Sequence, residues 1–300
     1  MVLYTNVFIA ITVSKLVNKR VHRKSMLIRP SGRSSDYISP SFGYGCLYEC
    51  SYCYLKRHKP KGLDVANNTG DILTAINNHA MFDTTVKPNQ THPVYISYDI
   101  SCNEDFALHA KYHDWKRIFS FFRDHPIAMA TLATKTIPTA FLDFNPNEKV
   151  RIRFSLMPQS ISDILELNTA KIIDRIKAVD TFIKAGYDVH LNFSPVIYYD
   201  KWLQDYKELF EMCNEYIINK DKVKCEVIFL THNENKHEYN LANNIPGEYL
   251  LWRPDLQESK ISQYGGENIR YISEIKSQFI NAWRDLHNDI IEWNTIRYIF

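Results

Sequence analysis

The stretch SPSFGYGCLYECSYCYLKRHKP, residues 39–60, holds three of the six cysteines of this 300-residue chain within eight positions. Cys46, Cys50 and Cys53 are spaced C-x3-C-x2-C in a loop rich in glycine and tyrosine. Six unevenly placed cysteines do not suit a secreted disulfide framework, and clustered cysteines in an intracellular chain usually indicate metal binding or catalysis. The loop is therefore the first candidate for a functional site.

Three interpretations of these cysteines compete. A structural zinc site needs a fourth ligand, and His58 would have to supply it in an uncommon C-x3-C-x2-C-x4-H pattern. Inert buried thiols would make the close spacing a coincidence. As iron–sulfur ligands, three cysteines hold three irons of a 4Fe–4S cluster and leave the fourth iron open. The spacing favours the cluster, and a non-catalytic, zinc-stabilised nucleic-acid-binding module stays as an alternative.

The composition indicates a large soluble protein. A hydrophobic content of 45% over 300 residues is enough for one barrel-sized domain or two smaller ones. The net charge of +2 gives no general affinity for polyanions. The apolar segment VFIAITV, residues 7–13, is too short to span a bilayer and is predicted to be a first strand. We expect a cytoplasmic protein with no membrane contact.

Strand-like and helix-like segments alternate along the chain. After a short strand before Cys46, strands are predicted at 92–100, 127–133, 150–156, 187–196 and 223–232, and helices at 70–82, 105–125, 169–186 and 202–220. About six βα units predict an α/β fold with a parallel sheet, specifically a partial, open (β/α)6 TIM-type barrel. A polar loop at 233–268, a helix at 271–287 and a strand at 293–300 predict a C-terminal α+β extension. The predicted domains are an N-terminal extension (1–37), the barrel (38–232) and a C-terminal extension (233–300) that closes the barrel and contacts substrate.

Polar or reactive residues recur where the predicted strands end. In a βα barrel these ends meet at one mouth, where catalytic sites form. Such residues are Cys46, Cys102, Lys135, Ser155, Asn192, Ser194 and His232. We therefore expect them at a common site.

The cysteine loop carries a family resemblance. C-x3-C-x2-C with an aromatic residue, Tyr52, before the last cysteine is the signature of radical S-adenosylmethionine (SAM) enzymes, and PSFGYGCLYECSYCYL resembles the cluster loop of spore photoproduct lyases. The similarity continues through SCNED (101–105), ATKT (133–136), RIRFSLMP (151–158), a long block at 175–202 and QYGGENIRY (263–271). The resemblance implies a DNA repair lyase with a radical SAM barrel, a 4Fe–4S cluster and bound SAM. Such an enzyme forms a 5′-deoxyadenosyl radical and breaks the methylene bridge of a thymine dimer.

The resemblance also implies roles for individual residues. Cys46, Cys50 and Cys53 match the cluster ligands, and Cys102 matches the cysteine that donates a hydrogen atom to the substrate radical. Other matches are Tyr52 and Tyr54 near SAM and the radical path, and Lys135 and Ser155 for SAM binding. Asn192 is a further candidate for cofactor binding, and the candidates for substrate binding are Glu104, Tyr264, Arg270 and Tyr271. The implied partners are DNA and an electron donor such as a flavodoxin or ferredoxin, and a monomer is expected.

Two positions depart from the family pattern. Glu104 stands where the family has a small hydroxyl residue, and Gln263 replaces an arginine before an aromatic–glycine pair. These differences leave open a radical SAM enzyme of the same fold with another modified base or a small molecule as substrate. Two basic runs are candidates for phosphate contact. They comprise Lys15, Lys19, Arg20, Arg23 and Lys24, and Lys56, Arg57, Lys59 and Lys61.

Overall fold

The computed structural model describes residues 17–21, 26–55, 59, 61–83, 85–261 and 266–300. The predicted strand at 7–13 lies outside these residues. The strands are β1 Val17–Arg20, β2 Arg29–Pro30, β3 Tyr37–Ile38, β4 Gly43–Gly45, β5 Leu63–Ala66, β6 Ile96–Asp99, β7 Ala128–Thr134, β8 Val150–Leu156, β9 Asp188–Val196, β10 Lys224–Phe229, β11 Thr231–His232, β12 Gln257–Ile261, β13 Glu267–Tyr271 and β14 Thr295–Ile299. The helices are α1 Thr69–Phe82, α2 Phe106–His109, α3 Trp115–Asp124, α4 Gln159–Leu165, α5 Ile172–Lys184, α6 Trp202–Tyr216, α7 Glu234–Ala242, α8 Glu248–Leu251 and α9 Ser273–Ile291.

The main sheet contains the five parallel strands predicted between 92 and 232, in chain order, and β3 beside them. The strand directly before Cys46, β4, lies instead in a separate sheet with β5 and β1. The order of the main sheet is β14-β10-β9-β8-β7-β6-β3-β2, and neighbours from β3 to β14 are parallel while β2 and β3 are antiparallel. Every residue of β8 is buried, as expected for a central parallel strand covered on both faces. The sheet includes β2 and β14, so it runs across both predicted domain boundaries, and the division into domains stays a prediction.

Side-chain contacts join the two ends of this sheet. The hydroxyls of Ser34, which precedes β3, and Tyr298 in β14 are 3.0 Å apart. The Arg33 guanidinium lies 3.7 Å from the centroid of the Phe300 ring. The sheet is therefore curled into an open barrel.

Two segments differ from the predicted elements. The helix predicted at 105–125 is divided into α2 and α3 by a 3-10 turn at Ala110–Tyr112. Each part has its own N-cap, because Asp105 accepts from the backbone N–H of Leu108 and Asp114 from that of Arg117.

The prediction of a polar loop at 233–268 is wrong. That segment contains α7, α8 and β12 and reaches the start of β13, and β11, β13 and β12 form a small antiparallel sheet. The predicted helix and strand that follow are found as α9, which packs against α6, and β14. In the part of the chain that the structure describes, no helix combines the length and apolar character needed to cross a membrane.

Candidate active site

The cysteine loop begins at the end of β4 and is tied by its backbone to two parts of the barrel. Gly45, which precedes Cys46, has a φ of 107°, a conformation that favours glycine. Its N–H donates to the carbonyl of Asn103 (3.0 Å), and the N–H of Ser51 donates to the carbonyl of Leu165 (2.9 Å). The loop is thereby held over the mouth of the barrel at both its start and its middle.

A cavity of about 420 Å³ lies beneath this loop. Cys46 and Cys50 are buried and Cys53 is partly exposed, and all three line the cavity. The structure brings the following residues singled out from the sequence to the same cavity: Tyr52, Tyr54, Cys102, Glu104, Lys135, Ser155, Asn192 and Ser194. Of the strand-end residues expected at a common site, His232 does not line this cavity, because it lies in β11, which pairs with β13 in a separate sheet. The other strand ends meet at one site, as expected of a βα barrel.

Tyr54 and Cys102 contact each other inside the cavity. The Tyr54 hydroxyl donates to the backbone carbonyl of Cys102 and lies 3.8 Å from its Sγ. Burial raises the pKa of the Cys102 thiol to about 11. The sulfur is therefore protonated at neutral pH and has a phenol beside it.

Lys135 and Tyr52 both contact the carboxylate of Glu166, a residue that the sequence analysis did not single out. The Tyr52 hydroxyl donates to Glu166 Oε1, and Lys135 Nζ lies 3.9 Å from the same oxygen. Arg175 donates to Glu166 Oε2 from two nitrogens, both at 3.0 Å. Burial alone would lower the pKa of Lys135, but the nearby Glu166 carboxylate raises it above its ordinary value. The lysine is thus a charged group whose ammonium reaches the cavity.

Glu166 lies at the end of α4, and its surroundings explain why it was missed. In the sequence it is an ordinary helix-terminal glutamate, whereas in the fold it is only 3% exposed. Its partners come from the cysteine loop, from the end of β7 and from α5, so no local pattern indicates its position.

Ser155 and Asn192 form the polar wall on neighbouring strands. They are paired in register, and Asn192 Nδ2 donates to Ser155 Oγ at 3.3 Å. Asn192 Oδ1 is buried and has no hydrogen-bond partner within the described structure. An unpaired buried acceptor is costly unless a bound group satisfies it, so this oxygen is suited to accept from a ligand.

Glu104 supports the cysteine loop through a buried histidine. His109 Nε2 accepts from the backbone N–H of Leu47 (3.2 Å), and its Nδ1 donates to Glu104 Oε2 (2.9 Å). His113 Nε2 also donates to Glu104 Oε2 at 2.9 Å. Burial alone would raise the pKa of Glu104, but the two histidines lower it to about 2. Glu104 is only 4% exposed, and its predicted contact with substrate stays a prediction.

Asp105 is a second residue that the sequence did not single out. Its Oδ1 accepts from the Thr134 hydroxyl (2.8 Å) and its Oδ2 from the backbone N–H of Lys135 (3.0 Å). Asp105 therefore fixes the end of β7, from which the Lys135 side chain projects.

Of the remaining predicted substrate residues, Arg270 and Tyr271 are described by the structure, and they do not line the cavity. Tyr264 lies outside the described residues. Arg270 is in β13, opposite Thr231 of β11. Tyr271 is 1% exposed, and its hydroxyl accepts from the backbone N–H of Tyr198 at 2.9 Å. Its side chain therefore packs between the segment after β9 and Phe279 of α9, and the substrate contacts of these residues stay predictions.

Two of the described residues in the basic runs form ion pairs with an aspartate of the chain. Arg20 and Lys59 both pair with Asp64, at 2.7 and 2.8 Å. Among the other members, Lys15, Arg23, Lys24, Lys56 and Arg57 lie outside the described residues. The structure thus shows that Arg20 and Lys59 bind a carboxylate of the chain itself, which ties β1 and the cysteine loop to β5.

The family model and the curated relatives that match this chain all describe one kind of enzyme. A family model described as spore photoproduct lyase matches residues 12–300. The spore photoproduct lyase of Bacillus subtilis (strain 168) is 27% identical over 192 residues, which are 63% of this chain and 54% of that protein. The spore photoproduct lyase of Geobacillus sp. (strain Y412MC61) is 24% identical over 243 residues, 79% of this chain and 67% of that protein. The match thus spans about half the length of the first relative.

Solved structures of spore photoproduct lyases have the same fold. A mutant with bound AdoMet and dinucleoside spore photoproduct superposes with a TM-score of 0.83 at 19% identity, covering 95% of this chain and 82% of that one. The enzyme complexed with dinucleoside spore photoproduct gives 0.82 at 20% identity and the same coverage. These likenesses confirm the predicted open barrel. Because the family model extends over nearly the whole sequence, this chain belongs to the spore photoproduct lyase family.

Proposed function

We propose that this protein is a radical SAM lyase that repairs a methylene-bridged thymine dimer in DNA. The observation that carries the proposal is the cavity that Cys46, Cys50 and Cys53 share with Cys102 and Tyr54. A cluster-binding loop and a hydrogen-atom donor are the two parts that such a repair reaction requires. Family membership and the names of the solved relatives support the same reaction.

The residues present fit a 4Fe–4S cluster and SAM. Three thiols from one loop match a cluster whose fourth iron is left for a cofactor. Among the described residues, one group of His, Cys, Asp or Glu side chains has its ligand atoms close enough together to hold a single metal ion: His232, His237 and Glu248. Cys46, Cys50 and Cys53 do not form such a group. Sulfurs bound to one tetrahedral zinc ion would lie about 3.8 Å apart, so the loop suits a larger group better than a single ion.

The polar wall would hold SAM. The charged Lys135 is suited to the carboxylate of its methionine part, and the Ser155 hydroxyl and the unpaired Asn192 Oδ1 to its hydroxyl or amino groups. When bound and reduced by one electron, the cluster and SAM supply a carbon-centred radical that can remove a hydrogen atom from the substrate. A flavodoxin or ferredoxin is the proposed source of that electron.

Cys102 would complete the repair. Loss of a hydrogen atom from the dimer allows the carbon–carbon bond of the bridge to break, which leaves a radical on one thymine. The Cys102 S–H bond is weak enough to give its hydrogen atom to that carbon, and a sulfur radical remains. The Tyr54 hydroxyl, 3.8 Å from the sulfur, can then return a hydrogen atom to it, which restores the thiol and leaves the radical on the Tyr54 phenol oxygen. For this donation the thiol must be protonated, as its raised pKa ensures.

The proposal is tested by anaerobic reconstitution with iron and sulfide, followed by turnover with SAM, a reductant and ultraviolet-irradiated DNA that contains the methylene-bridged thymine dimer. We expect about four irons per chain, cleavage of SAM and the appearance of intact thymines by mass spectrometry. SAM cleavage without thymine recovery would favour the same chemistry on another substrate. A colourless protein with one zinc and no SAM cleavage would instead support the zinc-stabilised binding module.

A further inference from the structure

A second group of metal-ligand side chains lies in the C-terminal region. His232 ends β11, His237 lies in α7, and Glu248 is the first residue of α8. His232 Nε2 is 2.9 Å and His237 Nδ1 2.6 Å from the same Glu248 oxygen, Oε1. The three ligand atoms all lie within 4.8 Å of one another.

The side chains around this group hold the ligands in place. Asn240 Nδ2 donates to the other carboxylate oxygen, Glu248 Oε2. The Trp252 ring stacks on His237 with centroids 4.0 Å apart and an interplanar angle of 10°. His232 and Glu248 are 3% and 7% exposed. Outer contacts of this kind orient ligands in established metal sites.

We propose that His232, His237 and Glu248 bind a divalent transition-metal ion, with Zn²⁺ as the preferred ion. Two imidazoles and one carboxylate are a ligand set that zinc uses, and H-x4-H is within the usual spacing of zinc histidines. Bonds of about 2.0–2.2 Å to a tetrahedral ion separate neighbouring donor atoms by about 3.4 Å. The two short contacts to Oε1 would therefore have to widen by less than about 1 Å, which side-chain rotation can supply.

An oxygen beside the group has no partner. Asn240 is fully buried, and its Oδ1 has no hydrogen bond within the described structure. Three protein ligands leave a fourth position on a tetrahedral ion for water. A metal-bound water is a strong hydrogen-bond donor, and an unpaired buried acceptor such as Asn240 Oδ1 is suited to accept from it.

The position of the group suggests what the ion does. Asn240, which binds Glu248, also donates from Nδ2 to the carbonyl of Ser51 at 3.1 Å. Ser51 lies between Cys50 and Tyr52 in the cysteine loop. An ion that fixes Glu248 therefore fixes Asn240 and fastens the segment 232–252 to the loop, without taking part in the chemistry of the cavity.

The experiment measures zinc in the full-length chain with Cys46, Cys50 and Cys53 replaced by alanine, so that these thiols cannot bind the probe. After incubation with Zn²⁺ and desalting, we expect one zinc per chain by mass spectrometry of the metal. Glu248→Gln keeps the shape and can keep hydrogen bonds, and it should reduce the affinity for Zn²⁺ by more than about 100-fold. His237→Ala should have the same effect. His92→Ala, which removes a partly exposed histidine beside Tyr95, is the matched control and should retain the zinc.

A second measurement keeps the proposal testable if one of the variants folds poorly. The cluster-loaded wild-type protein is titrated with Zn²⁺, and its thermal midpoint should rise for wild type and His92→Ala but not for Glu248→Gln. The proposal would be overturned by zinc content below about 0.2 per chain in the cysteine-to-alanine protein together with an unchanged thermal midpoint of the cluster-loaded wild type. Equal zinc in the Glu248→Gln and control proteins would overturn it as well. The group would then be a carboxylate hydrogen-bonded by two histidines. This outcome is independent of SAM cleavage, so it leaves the proposed function untouched.

Discussion

Replacing Glu104 by glutamine should weaken both the fold and the cysteine loop. The carboxylate accepts hydrogen bonds from His109 and His113 through one oxygen, and His109 in turn accepts from the Leu47 N–H beside Cys46. Glutamine keeps the size of the side chain and one acceptor oxygen but removes the charge. The change therefore isolates the electrostatic part of this support.

The magnitude follows from the pKa of the carboxyl group. The value of about 2 in the fold, against 4.5 ordinarily, corresponds to a stabilisation on the order of 3 kcal/mol. A neutral acceptor retains part of the hydrogen bonding, so we expect Glu104→Gln to lower the free energy of unfolding by about 1–3 kcal/mol at pH 7. Because the pKa of the folded state is the lower one, this contribution is fully present above about pH 4.5. It is lost as the pH falls to about 2.

Urea unfolding from pH 7 down to pH 3 measures the difference between wild type and Glu104→Gln. Hydrogen exchange should show faster exchange of the Leu47 amide in the variant. Glu215→Gln changes an exposed glutamate at the end of α6 and should stay within about 0.5 kcal/mol of wild type. If Glu104→Gln is as stable as this control and Leu47 exchanges at the wild-type rate, Glu104 does not support the loop. A difference that grows with acidity would show that the sign of the pKa argument is wrong.

Three further predictions concern the cavity. Alanine at Cys46, Cys50 or Cys53 should abolish iron–sulfur absorbance and SAM cleavage together, and a variant that keeps full cleavage would remove that residue from the ligand set. Lys135→Ala should leave the iron content unchanged and weaken SAM binding by roughly tenfold or more, since a charge-assisted contact is lost; an unchanged Kd by calorimetry would exclude this contact. Cys102→Ala should retain the cluster and SAM cleavage but yield thymine adducts in place of intact thymines, and an unaltered product distribution by mass spectrometry would make Cys102 structural.

The barrel could be predicted because its strands carry strong local signals. The strand predicted at 150–156 is found as Val150–Leu156. Its apolar residues occupy every second position of the sequence VRIRFSL, a period of two that predicts a strand. Its two arginines would be unexpected in a core if read alone. In the fold, Arg151 pairs with Asp188 and Arg153 with Asp99, at 2.7 Å each. These carboxylates belong to other strands, so the sequence shows the strand but not the ion pairs that permit it.

The elements within the segment 233–268 could not be predicted, because they too depend on contacts with distant parts of the chain. Helix α7 has the sequence ENKHEYNLA, which lacks an apolar stripe, and Lys236 and Asn240 are its buried positions. Its position depends on hydrogen bonds that join Asn240 to Glu248 and to the carbonyl of Ser51. Periodicity detects helices that bury an apolar face, and a helix held by polar contacts to a distant loop gives no such signal. Glu166 was missed in the same way, because its importance comes from partners on three other parts of the chain.

The carboxylate at position 104 takes part in the support of the cavity wall. Oε2 is occupied by both histidines, and the carboxylate lies so close to Gly43 that a Cβ there would collide with it. Gly43 is thus the residue that makes room for Glu104, and His109 is the residue that passes its effect to Leu47. These residues depend on one another, because a smaller side chain at 104 would leave two buried histidine N–H groups unpaired. Through this chain of contacts the departure from the family pattern acts on the cysteine loop, while Glu104 Oε1, which is buried without a hydrogen-bond partner in the described structure, lies on a residue that lines the cavity.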